Sequence, residues 1–189
     1  MKNEVRIIGG LWRSRKIRFP DVPGLRPTPD RVRETLFNWL GQDLEGLSCL
    51  NLYAGSGVLG FEAASRGAKR VVQVEHHPAA CTALRQQCEV LDARMVEIIQ
   101  KDALRFLSGP PEAFDVVFLD PPFHEDRVEA CCKLLQENGW LNDHAKIYIE
   151  AEKEKVLETM PENWQARRHK QAGGVGYHLY QIMDPILWR

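Results

Sequence analysis

Two loops in this 189-residue chain carry residue types able to do chemistry. The first, Asn51-Leu52-Tyr53-Ala54-Gly55-Ser56-Gly57, follows a short apolar run, and Gly60 completes a G-x-G-x-x-G spacing. Glycines between a strand and a helix let the backbone approach a nucleotide-like ligand, and an acid about twenty residues on suits ribose hydroxyls. Glu75 stands at that place. Asp102-Ala103 follows the next strand-like run; a carboxylate there suits either an adenine amino group or the cap of a helix. The glycine pattern alone fits both NAD-type dinucleotides and S-adenosylmethionine.

The second loop is Asp120-Pro121-Pro122-Phe123. Prolines fix φ and remove backbone donors, so the carbonyls around them stand as rigid acceptors. The exocyclic amine of a base is a poor nucleophile because its lone pair is delocalised into the ring. Two acceptors on its two N–H bonds, Asp120 and the Pro121 carbonyl, orient the nitrogen toward an electrophile. Phe123 can stack on the base, a contact worth roughly 1–3 kcal/mol. With the sulfonium methyl of S-adenosylmethionine as the electrophile, positioning would provide much of the catalysis, with Asp120 stabilising positive charge as it develops on nitrogen.

The elements that must hold these loops alternate from about residue 48 to 158. Strands are expected at Ser48–Tyr53, Lys69–Glu75, Met95–Gln100, Phe114–Leu119 and Ala145–Glu150. Helices are expected at Val58–Arg66, from Pro78, through Phe106, and at Glu125–Glu137, with Asn138-Gly139 as a stop. Near-continuous apolar strands separated by helices argue for a parallel sheet covered on both faces. Trp164–Gln171 and Tyr177–Met183 flank a glycine-rich turn and read as an antiparallel hairpin. The fold class is therefore α/β, a doubly wound, seven-stranded, mostly parallel sheet. Ahead of it, Val5–Ile8 and Lys16–Phe19 read as a hairpin. A proline-rich linker leads to a helix over Asp30–Leu40, capped by Thr28 or Asp30. The chain divides into an extension, residues 1–40, and a catalytic domain, residues 41–189.

Hydrophobic residues make up 44% and charged residues 27% of the chain, ordinary for a globular protein. The formal net charge is -1, yet residues 1–40 hold nine Lys/Arg against four Asp/Glu. That asymmetry points to a polyanion partner. Arg13, Arg15, Lys16, Arg18, Arg26, Arg31 and Arg33 are the candidate phosphate contacts, with Trp12 available to stack; Arg167-Arg168-His169-Lys170 offers a second basic run. Five cysteines, an odd number with two adjacent, fit a reducing compartment rather than a disulfide framework. No second Cys or His pair stands at zinc spacing, so no metal is expected. No apolar run approaches the roughly 18 residues of a membrane span. The expected setting is the cytoplasm, without membrane association.

At these residues the chain resembles the class I S-adenosylmethionine-dependent amino-methyltransferases. More narrowly, it resembles the bacterial family that methylates guanine N2 in 16S rRNA. The resemblance covers most of the chain: Arg6–Gly10, Gly24–Thr28, Asp30–Phe37, Ala54–Gly57, Glu62-Ala63, Ser65–Ala68 and Asp120–Phe123. It implies S-adenosylmethionine as donor and N2-methylguanine as product. The substrate it implies is the small ribosomal subunit or an assembly intermediate. The expected oligomeric state, separately, is a monomer. It also implies cofactor contacts at Asn51, Tyr53, Ala54, Gly55, Ser56, Gly57, Glu75, Asp102 and Ala103. Where the family carries Asp, this chain has Asn51; the amide keeps an acceptor oxygen and lacks the charge. Three readings compete: an NAD-dependent oxidoreductase on the glycines and Glu75, a non-catalytic RNA-binding or ribosome-assembly module, and a DNA adenine-N6 methyltransferase sharing the proline tetrad.

Overall fold

The computed structural model describes residues 3–122, 127–152 and 160–183. The strands are β1 (Glu4–Arg6), β2 (Lys16–Arg18), β3 (Ser48–Leu52), β4 (Arg70–Glu75), β5 (Val96–Gln100), β6 (Phe114–Leu119), β7 (Leu141–Glu152), β8 (Trp164–Ala172) and β9 (Val175–Ile182). The helices are α1 (Asp30–Leu40), α2 (Val58–Ser65), α3 (Pro78–Leu91), α4 (Ala103–Leu107) and α5 (Arg127–Glu137). The expected start of the last helix at Glu125 lies outside the described residues.

Seven strands form one sheet in the order β5-β4-β3-β6-β7-β9-β8. Strands β3 to β7 run parallel, β9 is antiparallel to β7, and β8 to β9. Strand order reverses beside β3, which lies between β4 and β6. In such sheets the crevice at the carboxyl ends of the strands beside the reversal is where ligands bind. Successive side chains of a strand face opposite ways. Cys49 accordingly packs in the cluster with α1, α2 and α3, while Leu50 and Leu52 pack in the cluster with α4 and α5. Two covered faces explain why β3 is apolar along its length.

Helix α2 is buried at every position, including Glu62. Such a helix needs cover on the side away from the sheet, and the amino-terminal unit provides it. Val5, Ile7, Trp12 and Ile17 of the hairpin and Val32, Leu36, Phe37 and Leu40 of α1 join one core with α2 and α3. The hairpin tip docks on the end of α2. Ser65 O accepts from Leu11 N at 2.7 Å, and Ser65 Oγ from Trp12 N at 2.8 Å. Trp12, expected to stack on RNA, is instead a core residue at 6% exposure, while Leu11 is exposed.

The buried positions of α1, Val32, Leu36 and Leu40 with Arg33 and Phe37, recur at helical spacing. Gly41 stops the helix at φ 105°, donating its N–H to Phe37 O. The expected side-chain cap differs: Pro29 is the N-cap residue, without a capping hydrogen bond. Thr28 points elsewhere, to Glu150. The final hairpin turns at Gly173-Gly174, between the paired Ala172 and Val175. Strand β8 is an edge whose residues after Trp164 are exposed. Its Arg167, Arg168, His169 and Lys170 are the kind of charged side chains that disfavour pairing along an open edge. The five cysteines are free thiols. No helix among the described residues is long and apolar enough to cross a membrane.

Candidate active site

The carboxyl ends of four parallel strands, β3 to β6, bring the sequence candidates to one edge of the sheet. Leaving β3, the chain turns through Tyr53 (φ 58°), Ala54 and Gly55 (φ 56°) to Gly57 (φ 74°), the N-cap of α2. Ala54 N donates to Val74 O and Gly57 N to Ala54 O, fixing the loop against β4. Glu75, the last residue of β4 and buried, accepts from Gly55 N on Oε2 and from His77 N on Oε1, both at 2.8 Å. One carboxylate thus ties the glycine loop to the start of α3.

The three glycines do different work. A Cβ on Gly57 would lie 2.2 Å from Leu84 Cδ2, and one on Gly60 would lie 2.4 Å from Gln73 Cδ. Both glycines therefore serve packing beneath the loop. A Cβ on Gly55 would meet nothing closer than Leu25 Cγ at 3.7 Å, so Gly55 is the one that leaves the backbone approachable. Ser56 is buried, with its Oγ 3.4 Å from Val58 N. Asn51 lies within β3 at 2% exposure and donates from Nδ2 to Gln73 Oε1 across the β3–β4 pair. Two buried polar atoms around this loop, Gln73 Nε2 and His77 Nδ1, have no hydrogen-bond partner among the described residues.

Asp102 caps α4: Oδ1 accepts from Arg105 N at 3.1 Å, and Oδ2 pairs with Arg127 Nη1 at 2.6 Å. Burial alone would raise this carboxyl, but the cap and Arg127 outweigh it and hold it below the usual range. Ala103 is buried at the first position of α4. Tyr53 turns toward α5, with Oη 3.5 Å from Cys131 Sγ.

Asp120 follows β6, with Pro121 buried and Pro122 exposed. Phe123 lies outside the described residues. The neighbour of Asp120 is a residue that the sequence reading missed. The β6–β7 register pairs Phe118 with Tyr148 and Leu119 with Ile149, which sets Glu150 beside Asp120. Glu150 Oε1 accepts from Thr28 Oγ1 and from Tyr148 Oη, each at 3.0 Å. Burial pushes the Glu150 carboxyl up, opposed by those two hydrogen bonds. Burial, then the Glu150 charge, pushes Asp120 up as well. The pair therefore holds a proton more tightly than ordinary carboxyls do. A signal for it stood in Ile147-Tyr148-Ile149-Glu150: an acid closes the strand expected next after the one that leads into Asp120. Period-2 alternation also puts Tyr148 and Glu150 on one face.

A family described as "Conserved hypothetical protein 95" matches residues 5–181. The Haemophilus influenzae protein named ribosomal RNA small subunit methyltransferase D is 49% identical over 184 residues, covering 95% of each chain. Its namesake from Escherichia coli K12 is 47% identical over 178 residues, covering 94% of this chain and 90% of that one. The chain belongs to the ribosomal RNA small subunit methyltransferase D family. A solved structure of a proposed Escherichia coli methyltransferase superposes with a TM-score of 0.89 at 43% identity, covering 95% of this chain and 98% of that one. Membership in a methyltransferase family sets the oxidoreductase reading aside.

In this member of the methyltransferase D family, the seven basic candidates of the extension have different surroundings. Arg13 and Arg15 sit at the hairpin tip, beside the end of α2 remote from the glycine loop. Arg15 also donates to Val90 O. Lys16 and Arg18 both pair with Glu4, at 3.0 and 3.1 Å. Arg26 and Arg31 are exposed along the linker and the start of α1. That linker passes the site, placing Leu25 against Gly55 and Thr28 on Glu150. Arg33 differs from expectation: it is fully buried. It donates to Thr28 O, Arg6 O, Glu62 Oε1 and Asp30 Oδ1 at 3.0, 2.9, 2.7 and 2.5 Å. Its guanidinium holds the fold together and offers nothing to a phosphate.

Proposed function

We propose that the protein methylates the exocyclic N2 of a guanine in 16S rRNA, using S-adenosylmethionine. The reading has the protein act as a cytoplasmic monomer on the small subunit or an assembly intermediate. The observation that carries it is the Asp120-Pro121 turn at the carboxyl end of β6, alongside the glycine loop of β3 at the reversal of strand order. The names of the relatives support a ribosomal RNA substrate.

The residues present fit the cofactor. Gly55 leaves an approachable backbone, Glu75 offers its carboxylate for ribose hydroxyls, and His77, whose Nδ1 has no hydrogen-bond partner among the described residues, follows two positions on. Asn51, with Nδ2 engaged by Gln73, keeps Oδ1 for the methionyl ammonium. Tyr53, Ala54, Ser56 and Gly57 shape the loop, while Asp102 and Ala103 border the adenine. When bound, S-adenosylmethionine supplies an electrophilic sulfonium methyl group.

Asp120 and the Pro121 carbonyl accept the two amine hydrogens and aim the nitrogen, while Pro122 stiffens the turn. Phe123 is assigned the stacking surface. A carboxyl pushed up by burial and by Glu150 is a stronger base for the proton that nitrogen sheds after methylation. The guanine reaches Asp120 unpaired or flipped out. The boundary at residue 40 is then one of role, with Arg13, Arg15, Lys16, Arg18, Arg26 and Arg31 facing RNA.

Asp120→Ala tests this. Transfer to unmethylated small subunits should fall about a hundredfold or more, as when a transition-state-stabilising group is removed. S-adenosylhomocysteine affinity by calorimetry and the melting temperature should hold, because the substitution also removes a like charge beside Glu150. Unchanged turnover would sink the mechanism.

A further inference from the structure

A groove of about 300 Å³ opens between α1 and the β8–β9 hairpin, and the proposed chemistry does not use it. Arg31 stands on one rim and Lys170 on the other, 139 positions apart in the chain; Trp39, Tyr148 and Tyr177 line it between them. Arg31 and Lys170 are exposed, and neither forms an ion pair among the described residues. Other cations of the amino-terminal unit contrast with this, since Lys16, Arg18 and Arg33 are all held by carboxylates. The Tyr148 and Tyr177 rings lie 4° from parallel with centroids 6.5 Å apart, a rigid wall. Tyr148 lies buried beneath the groove and gives its hydroxyl to Glu150. The groove's inner end is therefore one side chain from the Asp120–Glu150 pair.

We infer that this groove binds one nucleotide of single-stranded RNA flanking the target guanine, with Arg31 and Lys170 on its phosphate and its base against Trp39. The inference rests on the RNA reading proposed above and names a second point of contact for it. Size decides the occupant. At the lower end of the roughly 300–1,000 Å³ of small-ligand sites, the groove takes one nucleotide and excludes a duplex. Two cations without an ion pair among the described residues, set across a groove lined by the part-exposed Trp39, match a backbone phosphate and a base, the combination by which single strands are held without base-edge readout. A flanking nucleotide held here fixes the register in which the next base enters the Asp120 turn.

The test pairs Arg31→Glu/Lys170→Glu with the wild type in two assays. In the first, a short single-stranded RNA oligonucleotide should quench wild-type tryptophan emission. Trp39→Phe should remove that signal, and the double variant should not show it. In the second, methyl transfer to unmethylated small subunits should show KM for RNA raised about tenfold per reversed cation, taking about 1.4 kcal/mol per phosphate contact, with kcat nearly unchanged. The salt slope of binding should fall by roughly 0.7 in the double variant, one phosphate contact being lost. A wild type that methylates, with a double variant keeping both KM and salt slope, overturns the subsite and leaves the proposed function standing. Quenching that depends on Arg31 and Lys170, with no methylation of RNA by the wild type, supports the subsite and overturns the proposed function. Neither quenching nor transfer overturns both.

Discussion

Two carboxyl groups at the ends of neighbouring strands set the pH response of the site. Glu150 sits with its carboxyl raised in the fold, so its protonated form is the one the fold favours. Its contribution to stability is present at low pH. That contribution is lost as pH rises from its ordinary value of 4.5 through about 7. Glu150→Gln keeps an oxygen for Thr28 and Tyr148 and removes the charge. The expected outcome is a higher melting temperature above pH 7 than the wild type's. The acid limb of kcat/KM for methyl transfer should also move to lower pH, because Asp120 loses a like charge. A limb that stays in place would mean that Glu150 does not act on Asp120. Asp120 was legible from its prolines, a local pattern. Glu150 was not, because its importance comes from lying beside β6 and from Thr28, 122 residues away.

At the scale of the element, the turn from β3 to α2 shows how one glycine pattern serves two purposes. Gly57 and Gly60 make room for Gln73, Leu84 and Phe61, whereas Gly55 leaves open space beside the backbone, which the proposed cofactor would use. Gly60→Ala should lower stability by about 1–3 kcal/mol through overpacking, with Gly57→Ala worse because φ is also positive. Gly55→Ala should cost about 1–2 kcal/mol from the left-handed backbone alone, yet weaken S-adenosylhomocysteine most per unit of stability lost. Urea titration beside calorimetry separates the two effects; equal ratios across the three variants would refute the division. Strands and helices themselves were legible to within a residue or two in most cases, because apolar runs and glycine stops are local. The long β7, beginning at Leu141, was not, since Leu141–His144 alternates poorly. Its start is held by pairing with β6, where Leu141 partners Phe114.

For the whole molecule, Arg33 joins the hairpin at Arg6, the linker at Thr28, α1 at Asp30 and α2 at Glu62. Glu62 also accepts from Ile8 N at 2.6 Å and pairs with Arg66. Arg33→Ala leaves a buried carboxylate without its main partner and should cost about 3–5 kcal/mol. Arg33→Ala/Glu62→Ala should cost less than the sum of the two single variants, since each removes the other's reason to be charged. Additive costs in urea denaturation would show the ion pair to be unimportant. The basic character of residues 1–40 was plain in the sequence, but which cations face solvent was not. An arginine reads as exposed until its partner is known. The hint lay in Val58–Ser65, a helix with no polar face to give to water, which therefore had to be covered.

The hydrogen bond from Thr28 to Glu150 has a consequence for how the protein is made. Ribosomes extend a chain at about 5–20 residues per second, so Glu150 emerges roughly 6–24 s after Thr28. Arg33 meets Glu62 far earlier, only 29 residues on. The nascent amino terminus can thus settle on α2 long before the linker finds its anchor. The strap across the glycine loop closes late, when β7 arrives beside β6 with only the β8–β9 hairpin still to follow, and a shorter nascent chain lacks that strap.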